Sequence, residues 1–256
     1  MESDLALALR VAKVAARMIG DVMDDPPPPD WKGEVNPVTE IDRRTESAVM
    51  DLIGSARPHD GLLGEESGGV DWGDGRVWII DPLDGTVNFV HRLPQVSVSI
   101  ALWENGEPRV GVVHDVARDE VFSAVSGEGA YLDGERLDLS TRQAVLGDAL
   151  VGTGFPYDRQ KRAQEYSTMF GRVMSGVGGM RRLGSSALDF CWVAAGRLDA
   201  YYEPSIEPWD GAAGVIVVEE AGGVVTDMTG NPYRLGEGPI AAHPAIHAEL
   251  VELITG

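Results

Sequence analysis

The spacing of apolar residues changes along this chain, and each change predicts a different kind of secondary structure. Residues 4–23 repeat apolar side chains every three or four positions, which predicts an amphipathic helix, and a second such helix is predicted from Thr39. Between residues 77 and 125, short β-branched runs predict strands instead. The segment 104–107, Glu-Asn-Gly-Glu, predicts a hairpin turn, because Asn-Gly readily adopts positive φ angles. We therefore expect helices beside a partly antiparallel sheet.

From about residue 149 the predicted elements alternate between strand and helix. The predicted strands lie near residues 149–151, 180, 198–202 and 223–226, and the predicted helices near residues 160–174, 186–195 and 209–221. This alternation predicts a second sheet layered with helices. The fold class is therefore predicted to be α/β (α+β), with residues 1–256 in one domain of two tightly packed halves, about 1–145 and 146–256.

Charge and cysteine content exclude several classes of function. The net charge of −20 repels polyanions and no basic stripe interrupts it, so nucleic acid is not expected as the main ligand. Cys191 is the only cysteine, so neither an intramolecular disulfide nor a cysteine metal site is possible, and its apolar neighbours predict inert core packing. No signal-peptide pattern and no membrane-spanning apolar run is present, which predicts a cytoplasmic protein.

The most informative stretch is residues 78–89, where a strand of buried type runs into two carboxylates: Trp-Ile-Ile-Asp-Pro-Leu-Asp-Gly-Thr-Val-Asn-Phe. Magnesium prefers oxygen ligands, so Asp81 and Asp84, separated by a rigid Pro-Leu turn, could each face a cation. The carbonyl of Leu83 could add a neutral ligand. A simpler alternative is a capped turn, with Asp84 as the cap of a helix.

The residues that follow fit a phosphate ligand. Gly85 lets the backbone approach a ligand closely, and a helix beginning at Thr86 would direct free N–H groups at a phosphate. Three more carboxylates, Asp42, Glu65 and Asp210, lie at predicted strand ends or helix starts. For any one of these three alone, a surface or capping role is the commoner explanation.

Together and in this order, the four acidic segments resemble the inositol monophosphatase family of lithium-sensitive, magnesium-dependent phosphatases. The resemblance rests on Asp-Pro-Leu-Asp-Gly-Thr at 81–86, followed by Asn-Phe, and on Trp-Asp-Gly-Ala-Ala-Gly at 209–214. It covers nearly the whole chain. It implies a layered α-β-α-β-α sandwich of the inositol monophosphatase and fructose-1,6-bisphosphatase type. It also implies a homodimer, to which the apolar strand at 96–103 is expected to contribute.

The resemblance also implies roles for individual residues. Two to three Mg²⁺ ions would be held by Glu65, Asp81, the Leu83 carbonyl, Asp84 and Asp210. Asp42, Glu65 and Thr86 would be catalytic, with Asp42 and Thr86 ordering the hydrogen bonds around a metal-activated water. The implied substrate contacts are Gly85, Thr86, Arg181, Gly184, Ser185, Ser186, Glu203 and Asp210.

The implied reaction is hydrolysis of a small phosphate monoester, with inositol 1-phosphate as the first candidate. Histidinol phosphatase, fructose-1,6-bisphosphatase and 3′-phosphoadenosine phosphatase activities remain open, because the metal motifs do not separate them. Glu203 favours a polyol, since a carboxylate accepts hydrogen bonds from vicinal hydroxyls; a solvated carboxylate at a strand end is the simpler explanation of this residue. An alternative of another class is a regulatory partner protein with secondary phosphatase activity.

Overall fold

The computed structural model describes residues 2–31, 37–70 and 74–256. Within these residues the α-helices are α1 (Asp4–Gly20), α2 (Glu40–Ala56), α3 (Thr86–Val90), α4 (Ala163–Gly176), α5 (Ser186–Ala194), α6 (Pro208–Glu220) and α7 (His247–Thr255). The strands are β1 (Asp30–Trp31), β2 (Pro37–Val38), β3 (Gly61–Gly64), β4 (Gly68–Gly69), β5 (Arg76–Asp84), β6 (Ser97–Glu104), β7 (Glu107–Asp115), β8 (Glu120–Val125), β9 (Gly129–Leu132), β10 (Glu135–Arg136), β11 (Leu150–Thr153), β12 (Gly179–Arg181), β13 (Ala200–Tyr202), β14 (Val224–Asp227) and β15 (Pro239–Ala242).

The described strands form two main sheets. The larger has eight strands in the order β10-β9-β8-β7-β6-β5-β3-β4, and in it only β3 and β5 run parallel. The smaller has the order β12-β11-β13-β15-β14, with parallel pairs around β11 and antiparallel pairs around β15. Asn105 and Gly106 both have positive φ between β6 and β7, which confirms the predicted hairpin turn.

Apolar side chains on both faces of each main sheet create five layers. In β5, Trp78 and Ile80 face α1 and α2, while Val77 and Ile79 face the layer of α5 and α6, because successive side chains of a strand point to opposite faces. The smaller sheet behaves in the same way, with Tyr201 facing α5 and α6 and its other face covered by α4 and α7. The order α-β-α-β-α confirms the predicted fold class.

The strand at 96–103 was expected to contribute to a dimer surface, and the structure shows that expectation to be wrong. β6 lies between β5 and β7 in the interior of the larger sheet, and its apolar side chains are buried on both faces. A strand whose edges and faces are all covered has no surface left for a second chain.

Several described elements were not predicted from the sequence: the helix α7 and the short strands β1, β2, β3, β4, β9, β10 and β15. β3 and β15 are four residues long, too short to show a clear hydrophobic period. Within the described ranges no helix is both long enough and apolar enough to cross a membrane.

Replacing Ile100 with Ala should destabilise the fold strongly. Ile100 is fully buried in β6 against the α1 and α2 layer, and losing its side chain leaves a cavity in the packed core. We expect the free energy of unfolding to fall by about 2–5 kcal/mol. Denaturant unfolding would measure it, with Leu93→Ala at a half-exposed position as the control. Equal losses in the two variants would contradict the assigned core.

Candidate active site

The site begins where β5 leaves the regular ladder of the larger sheet. Asp81 pairs with Ser99 and Asp84 with Ser97, so three steps along β5 match only two along β6, which is a β-bulge. The Leu83 N–H donates to Asp81 Oδ1 at 3.0 Å within this bulge. In a regular strand, residues an odd number apart face opposite sides of the sheet. The bulge places Asp81 and Asp84 on the same face instead.

Gly85 is required immediately after the bulge. Its φ of 91° lies in the left-handed region, and a Cβ there would come within 2.7 Å of the Gln95 carbonyl oxygen. α3 begins at the next residue, as predicted, and its Thr86 side chain turns back towards α2. Thr86 Oγ1 lies 3.0 Å from Asp42 Oδ1 and 3.1 Å from the Leu83 carbonyl oxygen, and its single proton can be donated to either acceptor.

Asp84 caps a helix, as the simpler interpretation of the sequence suggested, but the helix is α5. Its Oδ2 accepts hydrogen bonds from Ser185 Oγ at 2.5 Å, Ala187 N at 2.9 Å and Ser97 Oγ at 3.2 Å. Its Oδ1 accepts only a longer bond of 3.3 Å, from Ser186 N. The free N–H groups at the start of α5 therefore stabilise the Asp84 carboxylate, and Oδ1 keeps unused acceptor capacity.

Asp42 and Asp210 occupy equivalent positions in two different helices. Each is the third residue of its helix and accepts a hydrogen bond from the backbone N–H of the capping residue, Thr39 for Asp42 and Glu207 for Asp210, both at 2.9 Å. Thr39 Oγ1 also donates to Asp42 at 2.5 Å. Capping therefore fixes both carboxylates in space, in addition to any chemical role.

Asp81, Asp84 and Asp210 come together although Asp210 lies more than 120 residues further along the chain. One carboxylate oxygen from each can be chosen so that all three lie within 4.8 Å of one another. Burial raises the pKa of Asp81 well above its ordinary value, and repulsion from Glu65, Asp84 and Asp210 raises it further. Burial also raises the pKa of Asp84 and of Asp210. The cluster could hold a metal ion, since it offers concentrated negative charge and only oxygen donors.

Glu65 stands beside this cluster on a loop that a second glutamate organises. Glu46, on α2, is 2% exposed and accepts hydrogen bonds from the N–H groups of Glu66 and Ser67, both at 2.8 Å. Glu46 was not among the residues predicted from the sequence. The available signal was its position four residues after Asp42, which places both acids on the same face of a helix.

A cavity of about 760 Å³ opens over these groups. The residues named as metal ligands, and every named substrate contact except Arg181, line it: Glu65, Asp81, Leu83, Asp84, Gly85, Thr86, Gly184, Ser185, Ser186, Glu203 and Asp210. Asp42 does not line the cavity but reaches it through Thr86. The structure thus brings residues from distant segments to one concave site.

Arg181 was predicted as a substrate contact, and the structure places it outside this cavity. Arg181 is exposed on β12, where its guanidinium donates to the carbonyl of Met180 at 2.9 Å. Its neighbour Arg182 lines the cavity instead. Neighbouring residues of an extended segment point in opposite directions, so the position one residue later faces the site.

Glu203 is buried at the other end of the cavity, so it is not a solvated strand-end carboxylate. It is 8% exposed, and its Oε2 accepts hydrogen bonds from Tyr201 OH at 2.7 Å and Ser186 Oγ at 3.2 Å. Burial raises the pKa of Glu203 to about 7, although these donors and the charge of Arg182 oppose the shift.

Two serines of β6 were also missed. Ser97 donates to Asp84, and Ser99 Oγ lies 3.3 Å from the carbonyl oxygen of Trp209, the residue before Asp210. Both are fully buried in a strand whose other side chains are mostly apolar. Their alternation in Val-Ser-Val-Ser-Ile was the available signal, because buried hydroxyls need partners.

Glu46→Gln should loosen the loop that carries Glu65. The carboxylate accepts two backbone N–H bonds, and a neutral amide offers a single weaker acceptor. With Glu65 as the Mg²⁺ ligand that the family resemblance implies, we expect the Kd for Mg²⁺ to rise about tenfold, because residues that orient metal ligands affect affinity by such factors. Isothermal titration would measure it. Asp51→Asn, an exposed acid on the same helix, is the matched control, and an equal change there would contradict a specific role for Glu46.

The stability of the metal-free protein should fall as the pH rises. With a pKa of about 7 in the folded protein against an ordinary value of 4.5, Glu203 stays protonated in the fold after the unfolded chain has released its proton. Its contribution to stability is complete below pH 4.5 and is lost by about pH 7. Denaturant unfolding in chelator across this window should show the decline. A slope unchanged in Glu203→Gln would contradict the assignment to Glu203.

Comparisons with known proteins agree with this geometry. The profile of the inositol monophosphatase family matches residues 1–255. The chain is 40% identical to the Nus factor SuhB of Escherichia coli K12 over 250 residues, which covers 96% of this chain and 93% of that protein.

Solved structures are similar over the same length. The inositol monophosphatase of Anabaena has a TM-score of 0.88 and 35% identity, and the match covers 98% of this chain and 94% of that one. The extragenic suppressor protein suhB of Bartonella henselae has a TM-score of 0.89 and 34% identity, with 97% and 96% covered. Sequence, fold and the clustered carboxylates agree: this chain belongs to the inositol monophosphatase family.

Proposed function

We propose that the protein is a magnesium-dependent phosphatase that hydrolyses a small polyol monophosphate, with inositol 1-phosphate as the first candidate. The observation that carries this proposal is the meeting of Asp81, Asp84 and Asp210 at the floor of a cavity that also holds Thr86 and Glu203. Family membership supports phosphatase chemistry on a small phosphorylated substrate.

The ligand set proposed for two to three Mg²⁺ ions is Glu65, Asp81, the Leu83 carbonyl, Asp84 and Asp210. The cluster fits a cation because burial and mutual repulsion disfavour its charged form in the metal-free protein. When bound, the ions supply Lewis acidity and neutralise the negative charge of the phosphate. The donors that hold Asp84 and Asp210 keep their carboxylates oriented, so less ordering is needed on binding.

The chain's own contribution to the reaction centres on Thr86 and Asp42. Asp42 accepts hydrogen bonds from Thr39 and Thr86, which fixes the position of the Thr86 hydroxyl at the cavity wall. That hydroxyl can orient a water molecule for in-line attack on phosphorus and accept a hydrogen bond from it. The phosphorus–ester oxygen bond then breaks, and the alcohol leaves with a proton.

The other end of the cavity favours an alcohol that carries hydroxyl groups. Glu203 Oε2 is held by Tyr201 and Ser186, which leaves Oε1 able to accept hydrogen bonds from a substrate. Three arginines line the cavity: Arg159, Arg162 and Arg182. Arg162 is already paired with Asp158 and Glu165, and the charge of Arg182 acts on Glu203, so little positive charge is left for a second phosphate. We therefore place polyol monophosphates ahead of fructose 1,6-bisphosphate and 3′-phosphoadenosine 5′-phosphate.

Lithium inhibition, homodimerisation and a cytoplasmic location are further proposals from the family resemblance.

The name of the Escherichia coli relative favours a second candidate function. That protein is named a Nus factor, a name that describes no enzymatic activity and favours a regulatory partner role. This chain could have such a role and retain phosphatase activity as a secondary function.

The test is phosphate release from inositol 1-phosphate, histidinol phosphate, fructose 1,6-bisphosphate and 3′-phosphoadenosine 5′-phosphate, with Mg²⁺ and with chelator. We expect Mg²⁺-dependent release that is fastest from inositol 1-phosphate. Asp84→Asn should lower kcat by at least about a hundredfold, since one charged group of the reacting centre is lost.

The same variant separates the two candidate functions. Asp51→Asn on the exposed face of α2 is the control for a change of one charge. No release from any substrate would contradict the phosphatase proposal. If cells that carry Asp84→Asn keep every cellular function although the variant has lost turnover, the regulatory role is supported. Loss of both turnover and cellular function would count against it.

A further inference from the structure

Asp189 is a buried acid in the cavity that the proposed chemistry does not use. It lies in α5, is 2% exposed and lines the cavity. Its backbone N–H donates to the Ser185 carbonyl within the helix, but its Oδ1 has no hydrogen-bond partner among the described residues. An unpartnered buried carboxylate oxygen is costly, so its presence points to a donor that arrives with a ligand.

The position of Asp189 on α5 directs it to the same end of the cavity as Glu203. Ser186 lies three residues earlier, on the same face of the helix, and its hydroxyl donates to Glu203. The charge of Glu203 raises the pKa of Asp189, second only to burial, and Arg182 is the cation that opposes the shift. Both acids line the same cavity, and Ser186, about one helical turn before Asp189, donates to Glu203, so one ligand can contact both carboxyl groups.

Two small residues make room for this pair. A Cβ on Gly152 of β11 would lie 3.3 Å from Asp189 Oδ1, and one on Gly154 would lie 1.9 Å from Glu203 Oε2. Any larger residue at 154 would displace the Glu203 carboxylate, and one at 152 would crowd Asp189. The end of β11 and the residue that follows it therefore leave space for both carboxyl groups.

We propose that Asp189 is a specificity-determining residue that, together with Glu203, selects substrates whose alcohol carries hydroxyl groups. The inference rests on the proposed phosphatase function and adds a second acceptor to it. This end of the cavity presents the carboxyl oxygens of Asp189 and Glu203 as acceptors, so it complements hydroxyl groups, which donate hydrogen bonds. An alcohol without hydroxyls leaves Asp189 unpaired and loses this binding energy.

The test compares two substrates in wild type and in Asp189→Asn. Inositol 1-phosphate has hydroxyl donors on its alcohol, and 4-nitrophenyl phosphate has none. We expect Asp189→Asn to lower kcat/KM for inositol 1-phosphate about tenfold, mainly through KM, because the amide replaces one acceptor oxygen of the carboxyl group with an NH₂ donor. For 4-nitrophenyl phosphate kcat/KM should stay within about twofold. Asp189→Ala, which removes both oxygens, should give the same pattern.

The melting temperature separates the proposed role from a purely structural one. A structural role predicts that Asp189→Asn melts below wild type, and the proposed role predicts that it does not. Because the unpaired carboxylate is costly in the free protein, Asp189→Asn should melt no lower than wild type. Asp115→Asn is the matched control: Asp115 is equally buried but outside the cavity, and it is paired with Arg118. This control should lower the melting temperature and leave the ratio of the two kcat/KM values unchanged.

Several results would overturn the inference. Equal losses on both substrates, or a melting temperature clearly below wild type in Asp189→Asn, would assign Asp189 a structural role. An unchanged ratio, or wild type that hydrolyses only 4-nitrophenyl phosphate, would exclude selection of hydroxyls. Failure of the proposed function looks different, since wild type would then release no phosphate from either substrate.

Discussion

The structure around the cavity depends on one constraint: several carboxylates must be held together out of water. Asp81, Asp84 and Asp210 repel one another and are largely removed from solvent, which is unfavourable without compensation. Among the described residues, the hydrogen bonds that these three carboxylates accept come from backbone N–H groups and serine hydroxyls. The start of α5 stabilises Asp84, and the capping residue of α6 stabilises Asp210. Neutral donors orient the acids and leave their charge available to a cation.

The layered fold places these donors where the acids need them. The end of β5, the start of β6 and the starts of α5 and α6 meet at one end of the larger sheet. The free N–H groups of α5 therefore reach Asp84 in the bulge, and Asp210 in the first turn of α6 lies beside it. α2 contributes from the opposite layer, through Asp42 to Thr86 and through Glu46 to the loop of Glu65. Helices from both faces of one sheet therefore determine the geometry of a single site.

The cavity has two ends with different chemistry. One end concentrates carboxylates around Asp81, where we propose that metal and phosphate bind, and the other holds Glu203 and Asp189, where we propose that the alcohol binds. α5 connects them, because its first residues donate to Asp84 while Ser186 and Asp189 face Glu203. A shift of this helix would change both ends together, which links substrate selection to the reacting centre.

The sequence by itself determined the fold class, most of the elements and the identity of the clustered acids, because hydrophobic period and the Asp-Pro-Leu-Asp-Gly-Thr segment are local signals. Only the tertiary structure decided what depends on contacts between distant segments. It showed that Arg182 and not Arg181 lines the cavity, and that the apolar strand β6 is a central strand and not a surface. It also revealed Glu46 and Asp189, whose environments are made by residues remote in sequence. A carboxylate acquires such a role from its burial and its partners, and those exist only after the layers have packed.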